Sequence, residues 1–363
     1  MRISIITVVY NAVQTIEQTI TSVLSQSYND VEYIIIDGGS TDGTLDIIEK
    51  YREKLAYFIS EPDNGIYDAM NKGITKATGE VVGLLNADDW YEPDALTIVG
   101  NAFKVSSVGV VFGNMQYIEK NGGKKYWEMR NLDELFIGMP IPHPATFVRN
   151  SIYKRYGYFD TRYHISADHE FILRLYINKV KFLQVDSCLT NFRTTGISSL
   201  EPFQSILEDN IILSKYLNFC PYKDLAINSL KERFFSFIFN SMIEKKPHII
   251  MDILTKEYGL KDTIVIWGTG VWGGRISDFF IKSNISIPFF VDTDPEKRGS
   301  IFKGTKVVSP ELLKTYHGII FVAAKKSSSD IEKKLKSLHN TKIQWIIFDD
   351  FIKKFITLYK QLK

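Results

Sequence analysis

Residues 3–44 read ISIITVVYNAVQTIEQTITSVLSQSYNDVEYIIIDGGSTDGT, and the fold turns on how this stretch is parsed. ISIITVV (3–9) is a continuous β-branched run, the pattern of a strand buried on both faces of a parallel sheet. Val13, Ile16, Ile20, Val23 and Leu24 then follow at helical spacing. EYIIID (32–37) is a second buried strand, and GGSTDG leads into a helix carrying Leu45, Ile47 and Ile48. Working outward, LAYFIS (55–60), a helix over 66–77 and EVVGLLN (80–86) continue the alternation. Four strands with intervening helices in this span predict a doubly wound α/β domain.

Beyond Pro93 the pattern loosens. Strands are expected at 108–118 and 124–129, then a loop PIPHP (140–144), then a helix over 168–178. Residues 203–258 read as helical, with Leu207, Ile211, Leu213 and Leu217 in amphipathic order. TIVIWGTGVWGG (263–274) then opens a new strand–Gly loop–helix unit. The expected organisation is an α/β domain over 1–215, a helical connector over 216–258 and a second, small Rossmann-like α/β domain over 259–363.

Composition bounds the chemistry. The 363 residues are 45% hydrophobic and 24% charged, which excludes intrinsic disorder as the main state. The two cysteines, Cys188 and Cys220, exclude a disulfide scaffold and a zinc site built on paired cysteines. No 18-residue apolar run is present, and the first residues read as a buried strand rather than a signal peptide. Residues 1–258 carry 26 Lys and Arg against 32 Asp and Glu, whereas residues 259–363 carry 18 against 10. The basic residues are scattered and no recognition motif accompanies them, so a nucleic-acid partner is not expected. No two histidines have metal-ligand spacing and no nucleophile elbow occurs, which argues against zinc chemistry and a serine triad.

The informative carboxylates sit at the carboxyl ends of successive predicted strands: Asp37, then Asp63, then Asp88 and Asp89. In an open α/β sheet this edge is where ligands bind. Asp42 in STDGT reads better as a helix cap. Asp88 and Asp89 are adjacent like charges after the apolar run VVGLL, unfavourable unless a cation or ligand sits there. Oxygen-only ligation points to Mg2+ or Mn2+ holding phosphate oxygens.

TVVYNA (7–12), IIDGGSTDGT (35–44), SEPDNGIYDAMNKGI (60–74), ATGE (77–80) and LLNADDWYEP (84–93) resemble, in order, the motifs of the family 2 inverting glycosyltransferases of GT-A fold. The resemblance implies that Thr7 and Tyr10 line a nucleotide pocket, with Tyr10 packing on the base. It implies that Asp37 accepts the ring N–H of a uridine or thymidine base and that Asp63 frames the nucleotide loop. Asp88 and Asp89 fall on the family's metal motif, with Asn86 in place of its first Asp and Asp89 the favoured ligand. SADHEFILRL (166–175) resembles the acidic motif that supplies the catalytic base: Asp168 matches its Asp, while Ala167 replaces the preceding acid. Taken alone, Asp168 reads as a helix N-cap with Glu170 in the first turn. His143 resembles a family loop at the donor–acceptor junction, and Arg193 with Thr194 resembles a loop closing over the diphosphate.

In the carboxyl-terminal module Gly268, Gly270 and Gly273 form G-x-G-x-x-G between a strand and a helix, with Asp292 ending the next strand. That is the setting of a dinucleotide fingerprint and makes these four residues a candidate second nucleotide site. The alternative is that the glycines only allow close helix–strand packing.

The expected function is metal-dependent (Mn2+ or Mg2+) inverting transfer of a hexosyl or N-acetylhexosaminyl group. The donor is a nucleotide diphosphate sugar, UDP or dTDP favoured, and the acceptor a glycan or polyprenyl-linked lipid, in bacterial surface polysaccharide synthesis. The expected location is cytoplasmic; the aromatics of 231–246 (KERFFSFIFNSMIEKK) read first as helix core packing, with peripheral contact at the inner face of the plasma membrane as the alternative. Rival readings are a nucleotide-sugar-binding scaffold and an NAD-dependent sugar-modifying enzyme acting through the carboxyl-terminal domain.

Overall fold

A computed structural model of the chain describes residues 1–119, 122–127, 131–194, 202–237, 247–323, 328–348 and 350–351. They fall into two compact units, Met1–Arg233 and Phe234–Lys363. The stretch expected as a connector, 216–258, is therefore shared between them.

In the first unit β1 (Ile3–Val9) pairs in parallel with β2 (Val31–Asp37) on one side and β4 (Val81–Asn86) on the other. β3 (Tyr57–Ser60) extends β2, also in parallel. All seven residues of β1 are buried because both faces of the sheet are covered. Ile3, Ile5 and Val9 pack with Ile16 and Ile20 of α1 (Ile16–Leu24). Ile6 and Val8 pack with Met70 and Ile74 of α3 (Ile66–Lys76). The sheet continues through β8 (Thr146–Arg149), β6 (Val110–Ile118) and β9 (Phe182–Arg193) to β5 (Trp90–Tyr91), with β7 (Lys124–Trp127) paired to β6. Burial on both faces, rather than alternation, thus marks the parallel half of the sheet.

Two helices complete the site side of this unit. α6 (Ala167–Ile177) begins one residue before its expected start. α7 (Pro202–Tyr216) is helical as expected, but its inward face is rotated from the predicted one. Ile211 is 52% exposed, while Glu208, Asp209, Ile212, Leu213 and Tyr216 are buried. Two carboxylates occupy inward positions because each finds donors there. α8 (Lys223–Phe237) follows; residues 238–246 of the aromatic stretch proposed for membrane contact lie outside the described residues. Among the described residues no helix is long and apolar enough to cross a membrane.

The second unit has a sheet in the order β12-β13-β11-β10-β14-β15. β10 (Val265–Trp267), β11 (Phe290–Val291), β13 (Thr305–Val308), β14 (Gly318–Val322) and β15 (Ile343–Ile347) are parallel, and β12 (Ile301–Phe302) is antiparallel to β13. The order reverses at β10, the switch point of a Rossmann-like sheet.

Gly73 offers a direct check on the first unit's packing. An added Cβ would lie 2.3 Å from Ile6 Cγ2 and 3.3 Å from Ile36 Cγ1, so α3 lies closer to the sheet than alanine allows. Gly→Ala in an open helix stabilises by roughly 1 kcal/mol. Gly73→Ala is instead expected to destabilise by ~1–3 kcal/mol through overpacking, measured by denaturant unfolding. An increase in stability would contradict this packing.

Candidate active site

The carboxyl ends of β1, β2, β3 and β4 converge because the strands are parallel and in register, Val9 opposite Asp37 and Val8 opposite Asn86. Past β1, Tyr10 is 65% exposed, and Asn11 takes a left-handed conformation (φ 48°). The Asn11 N–H donates to Ser40 Oγ (2.8 Å), and its side-chain oxygen accepts from the Thr41 N–H (2.9 Å). These bonds lock the YNA turn to the GGS turn. An ideal Cβ on Gly38 would lie 2.6 Å from Asp63 Oδ2 and 3.5 Å from the Tyr10 ring. Tyr10, Gly38 and Asp63 are thereby one cluster at the sheet edge. Asp63 also accepts from the Gly65 N–H at 2.9 Å, which shapes the entry to α3.

Two residues expected at the nucleotide pocket are engaged otherwise. Thr7 does not line it: the residue is wholly buried and its hydroxyl bonds the Tyr33 hydroxyl at 3.0 Å. Its place in the middle of a doubly covered strand is the reason. Asp37 is also wholly buried and takes four donors: the Gly39 and Ser40 N–H groups at 2.9 Å each, Ser60 Oγ at 2.6 Å and Ser40 Oγ at 2.5 Å. Its visible work is to form the turn rather than to face a base.

After β4 the chain turns tightly, with the Asp89 N–H donating to the Asn86 carbonyl at 3.1 Å. Asp89 is fully buried; its Oδ1 accepts from the Arg193 N–H at 3.1 Å, and Oδ2 has no hydrogen-bond partner. Asn86 Oδ1 is likewise buried and unpartnered. Burial, then the neighbouring Asp88 charge, pushes the Asp89 carboxyl well above the carboxylate range. Asp88 is partly accessible, and burial raises it as well. Arg193 ends β9 with its guanidinium 4.5 Å from the Trp90 ring centroid and bonded to the Asp88 carbonyl. It is tied into the acidic turn; of the loop implied to close over the diphosphate, residues 195–199 lie outside the described residues.

A cavity of about 740 Å3 opens beside this turn, lined by Asn86, His143 and Asp168 among others. Its apolar wall includes Met115, Tyr117, Trp127 and Phe192. Asp168 is not the cap of α6, a position taken by Ser166. Its Oδ1 instead accepts from the Tyr67 hydroxyl at 3.0 Å. Burial, then the Asp168 charge, pushes the Tyr67 phenol far up, so it remains a donor. Burial pushes the His143 imidazole down against the opposing pull of Asp168, leaving it neutral at pH 7. Glu170 faces away from Asp168 function: it is buried on Arg174 (2.8 Å), Lys215 (3.0 Å) and the Tyr216 hydroxyl (2.5 Å).

Tyr67, Glu208, Asp209 and Arg233 were not read from the sequence as site residues, yet the first three are bonded to the segment bearing Asp168 and Arg233 is bonded to Asp209. The available signal was the adjacent acids of ILEDNIIL, which share a helical face with Ile212, Leu213 and Tyr216.

In the second unit the glycine loop is packed as well as exposed. Gly268 has φ +117°, and a Cβ on Gly273 would lie 1.9 Å from the Gly268 carbonyl oxygen. Nothing lies within 4 Å of a Cβ on Gly270. Asp292, expected to meet ribose hydroxyls, accepts from the Thr269 and Asp294 N–H groups at 3.0 Å each and from the Thr269 hydroxyl. It closes its own loop.

Residues 4–180 match the model of glycosyl transferase family 2, and residues 260–344 match the family described as C2185-like, N-terminal. Over 204 residues the chain is 32% identical to an uncharacterized glycosyltransferase of Mycobacterium tuberculosis (strain CDC 1551 / Oshkosh), covering 54% of this chain and 77% of the relative. Over 224 residues it is 30% identical to a PGL/p-HBAD biosynthesis glycosyltransferase of Mycobacterium bovis (strain BCG / Pasteur 1173P2), covering 60% and 83%. Residues 1–349 of S. aureus TarS in complex with UDP-GlcNAc share the fold, with a TM-score of 0.54 at 20% identity over 70% of this chain and 81% of that one. The chain spans 47% of a longer TarS structure. With these motifs at the carboxyl edge of the sheet and these relatives, the chain belongs to glycosyl transferase family 2 and is a glycosyltransferase.

Proposed function

We propose that the chain transfers a sugar, with inversion, from a UDP- or dTDP-linked donor to a glycan or lipid-linked acceptor during assembly of a bacterial surface polysaccharide. The observation that carries this is the opening of Asn86 and Asp168 into one cavity, with Asp88 and Asp89 on the turn that follows Asn86. The donor class is supported by TarS, solved with UDP-GlcNAc, and the pathway class by the mycobacterial relative named for PGL/p-HBAD biosynthesis. A polyprenyl-linked acceptor would bring the reaction to the inner face of the plasma membrane.

The acidic turn fits a hard divalent cation. Asp89 Oδ2 and Asn86 Oδ1 are oxygens lacking partners, and Asp88 is a partly accessible carboxylate. Among the described residues no cluster of three His, Cys, Asp or Glu could hold a metal alone, so donor phosphates would supply further ligands. Bound there, Mn2+ or Mg2+ would stabilise the charge that develops on the diphosphate. Asp88, the more accessible acid, is the better placed ligand, with Asp89 behind it.

Tyr10 offers a face for the base, and Asp63 beside it a carboxylate for a ring N–H. Asp168 is the proposed base: it takes the acceptor hydroxyl proton as that oxygen attacks the anomeric carbon opposite the leaving diphosphate. The Tyr67 hydroxyl orients Asp168, and neutral His143 borders the junction without adding charge.

Three outcomes test this reading. In thermal unfolding, UDP or dTDP with Mn2+ should stabilise the chain by ~2.7 kcal/mol at about 100 times Kd, and Asp88→Ala with Asp89→Ala should abolish the shift. No shift with any nucleoside diphosphate would contradict a donor site. Asp168→Asn should lower turnover by ~10²–10⁴-fold while keeping that shift. Metal-free stability should fall as pH rises above the ordinary carboxylate range, because folded Asp89 holds its proton more tightly than the unfolded chain does. Asp89→Asn should flatten that fall above the ordinary carboxylate range in EDTA; an unchanged slope would place the cost elsewhere.

A further inference from the structure

The base helix is held by an element outside the family-matched stretch, which ends at residue 180. Glu208 of α7 is 2% exposed, and its carboxylate receives three successive backbone N–H groups. His164 donates to Oε1 at 2.9 Å, and Ile165 and Ser166 donate to Oε2 at 2.8 and 2.9 Å. These residues run directly into α6. The next residue of α7, Asp209, takes the other side: its Oδ1 lies 2.9 Å from His169 Nδ1. His169 Nε2 lies 2.8 Å from the Leu135 carbonyl oxygen. Arg233 completes the chain, donating to Asp209 Oδ2 at 3.0 Å and to the Ile137 carbonyl at 2.8 Å.

Asp168 therefore stands between two anchored points. Positions 164–166 are fixed through Glu208, and position 169 through Asp209. Little but the side-chain torsions of Asp168 stays free, and the Tyr67 hydroxyl, bonded to both the Ile165 carbonyl (2.6 Å) and Asp168 (3.0 Å), sets those. Apolar residues at 208 and 209 would satisfy packing without the desolvation of two carboxylates. What the carboxylates add is directional: charge-assisted bonds to particular N–H groups.

We propose that Glu208 and Asp209 are positioning residues for sugar transfer, fixing the α6 start so that Asp168 points into the cavity. This rests on Asp168 being the base. The charged groups facing His169 are Asp209 from α7, Arg233 beyond it from α8, and Asp168 on its own helix. Burial pulls the His169 imidazole down, but the Arg-paired Asp209 carboxylate at one ring nitrogen and the Leu135 carbonyl at the other outweigh it and hold it above its ordinary value.

The test uses the full chain with Mn2+, following nucleoside diphosphate release from UDP-GlcNAc and from dTDP- and GDP-linked hexoses, the fastest donor being carried forward. Glu208→Gln and Asp209→Asn should each lower kcat by ~10- to 100-fold, the usual effect of a small misplacement, with donor KM and UDP affinity within about twofold. If Asp168→Asn is crippled while both variants keep wild-type kcat, or lose UDP affinity in parallel with kcat, the positioning role is overturned. If Asp168→Asn itself turns over normally, the base assignment fails and this role falls with it. A variant-free readout guards against misfolding: 15N spectra of the wild-type histidines at pH 7 should show His169 protonated on Nδ1, the nitrogen facing Asp209. A neutral Nε2–H tautomer, with Nδ1 bare, would overturn the Asp209 anchor.

Discussion

The geometry of this enzyme depends on one repeated interaction, a buried carboxylate that accepts backbone N–H groups from a loop. Asp37 holds the GGS turn in this way, Glu208 the run into α6, and Asp292 the glycine loop of the second unit. A buried amide or carboxylate without a partner costs several kcal/mol in an apolar setting, whereas a charge-assisted bond satisfies both. The sheet decides where the loops emerge; these carboxylates decide what shape they take.

That division explains the distribution of labour at the strand edge. Asp37 is engaged in its turn, whereas Tyr10 is exposed and stands with Asp63 beside Gly38. Asp89 is the exception among the buried acids. Its Oδ1 takes a single backbone donor and its Oδ2 has no partner, so its burial is compensated only in part. A site that stores such a cost in the metal-free protein is one where a ligand is expected to relieve it.

Much of this was legible in the sequence, for identifiable reasons. The runs ISIITVV, EYIIID and VVGLL are apolar on both faces, and only a doubly covered strand wants that pattern. The acidic residues after them fell at the edge because parallel strands end together. β9 was not legible: FLQVDSCLTNFR mixes buried and half-exposed residues, and its pairing with β6 is interrupted by register shifts. The face of α7 was misjudged because apolar residues were assumed to point inward. Glu208 and Asp209 do so as well, beside Ile212 and Leu213, and the donors that make this favourable come from residues some forty positions earlier. Thr7 was misplaced for a similar reason, since motif position alone does not say which way a strand residue faces.

The central claim is that donor and acceptor meet between the acidic turn and Asp168. A crystal structure of the full chain with UDP and Mn2+ tests it most directly. The account predicts the diphosphate beside Asp88, the uracil against Tyr10 and Asp63, and an open path from the distal phosphate to Asp168. UDP bound instead at the Gly268 loop, with the acidic turn empty, would contradict it.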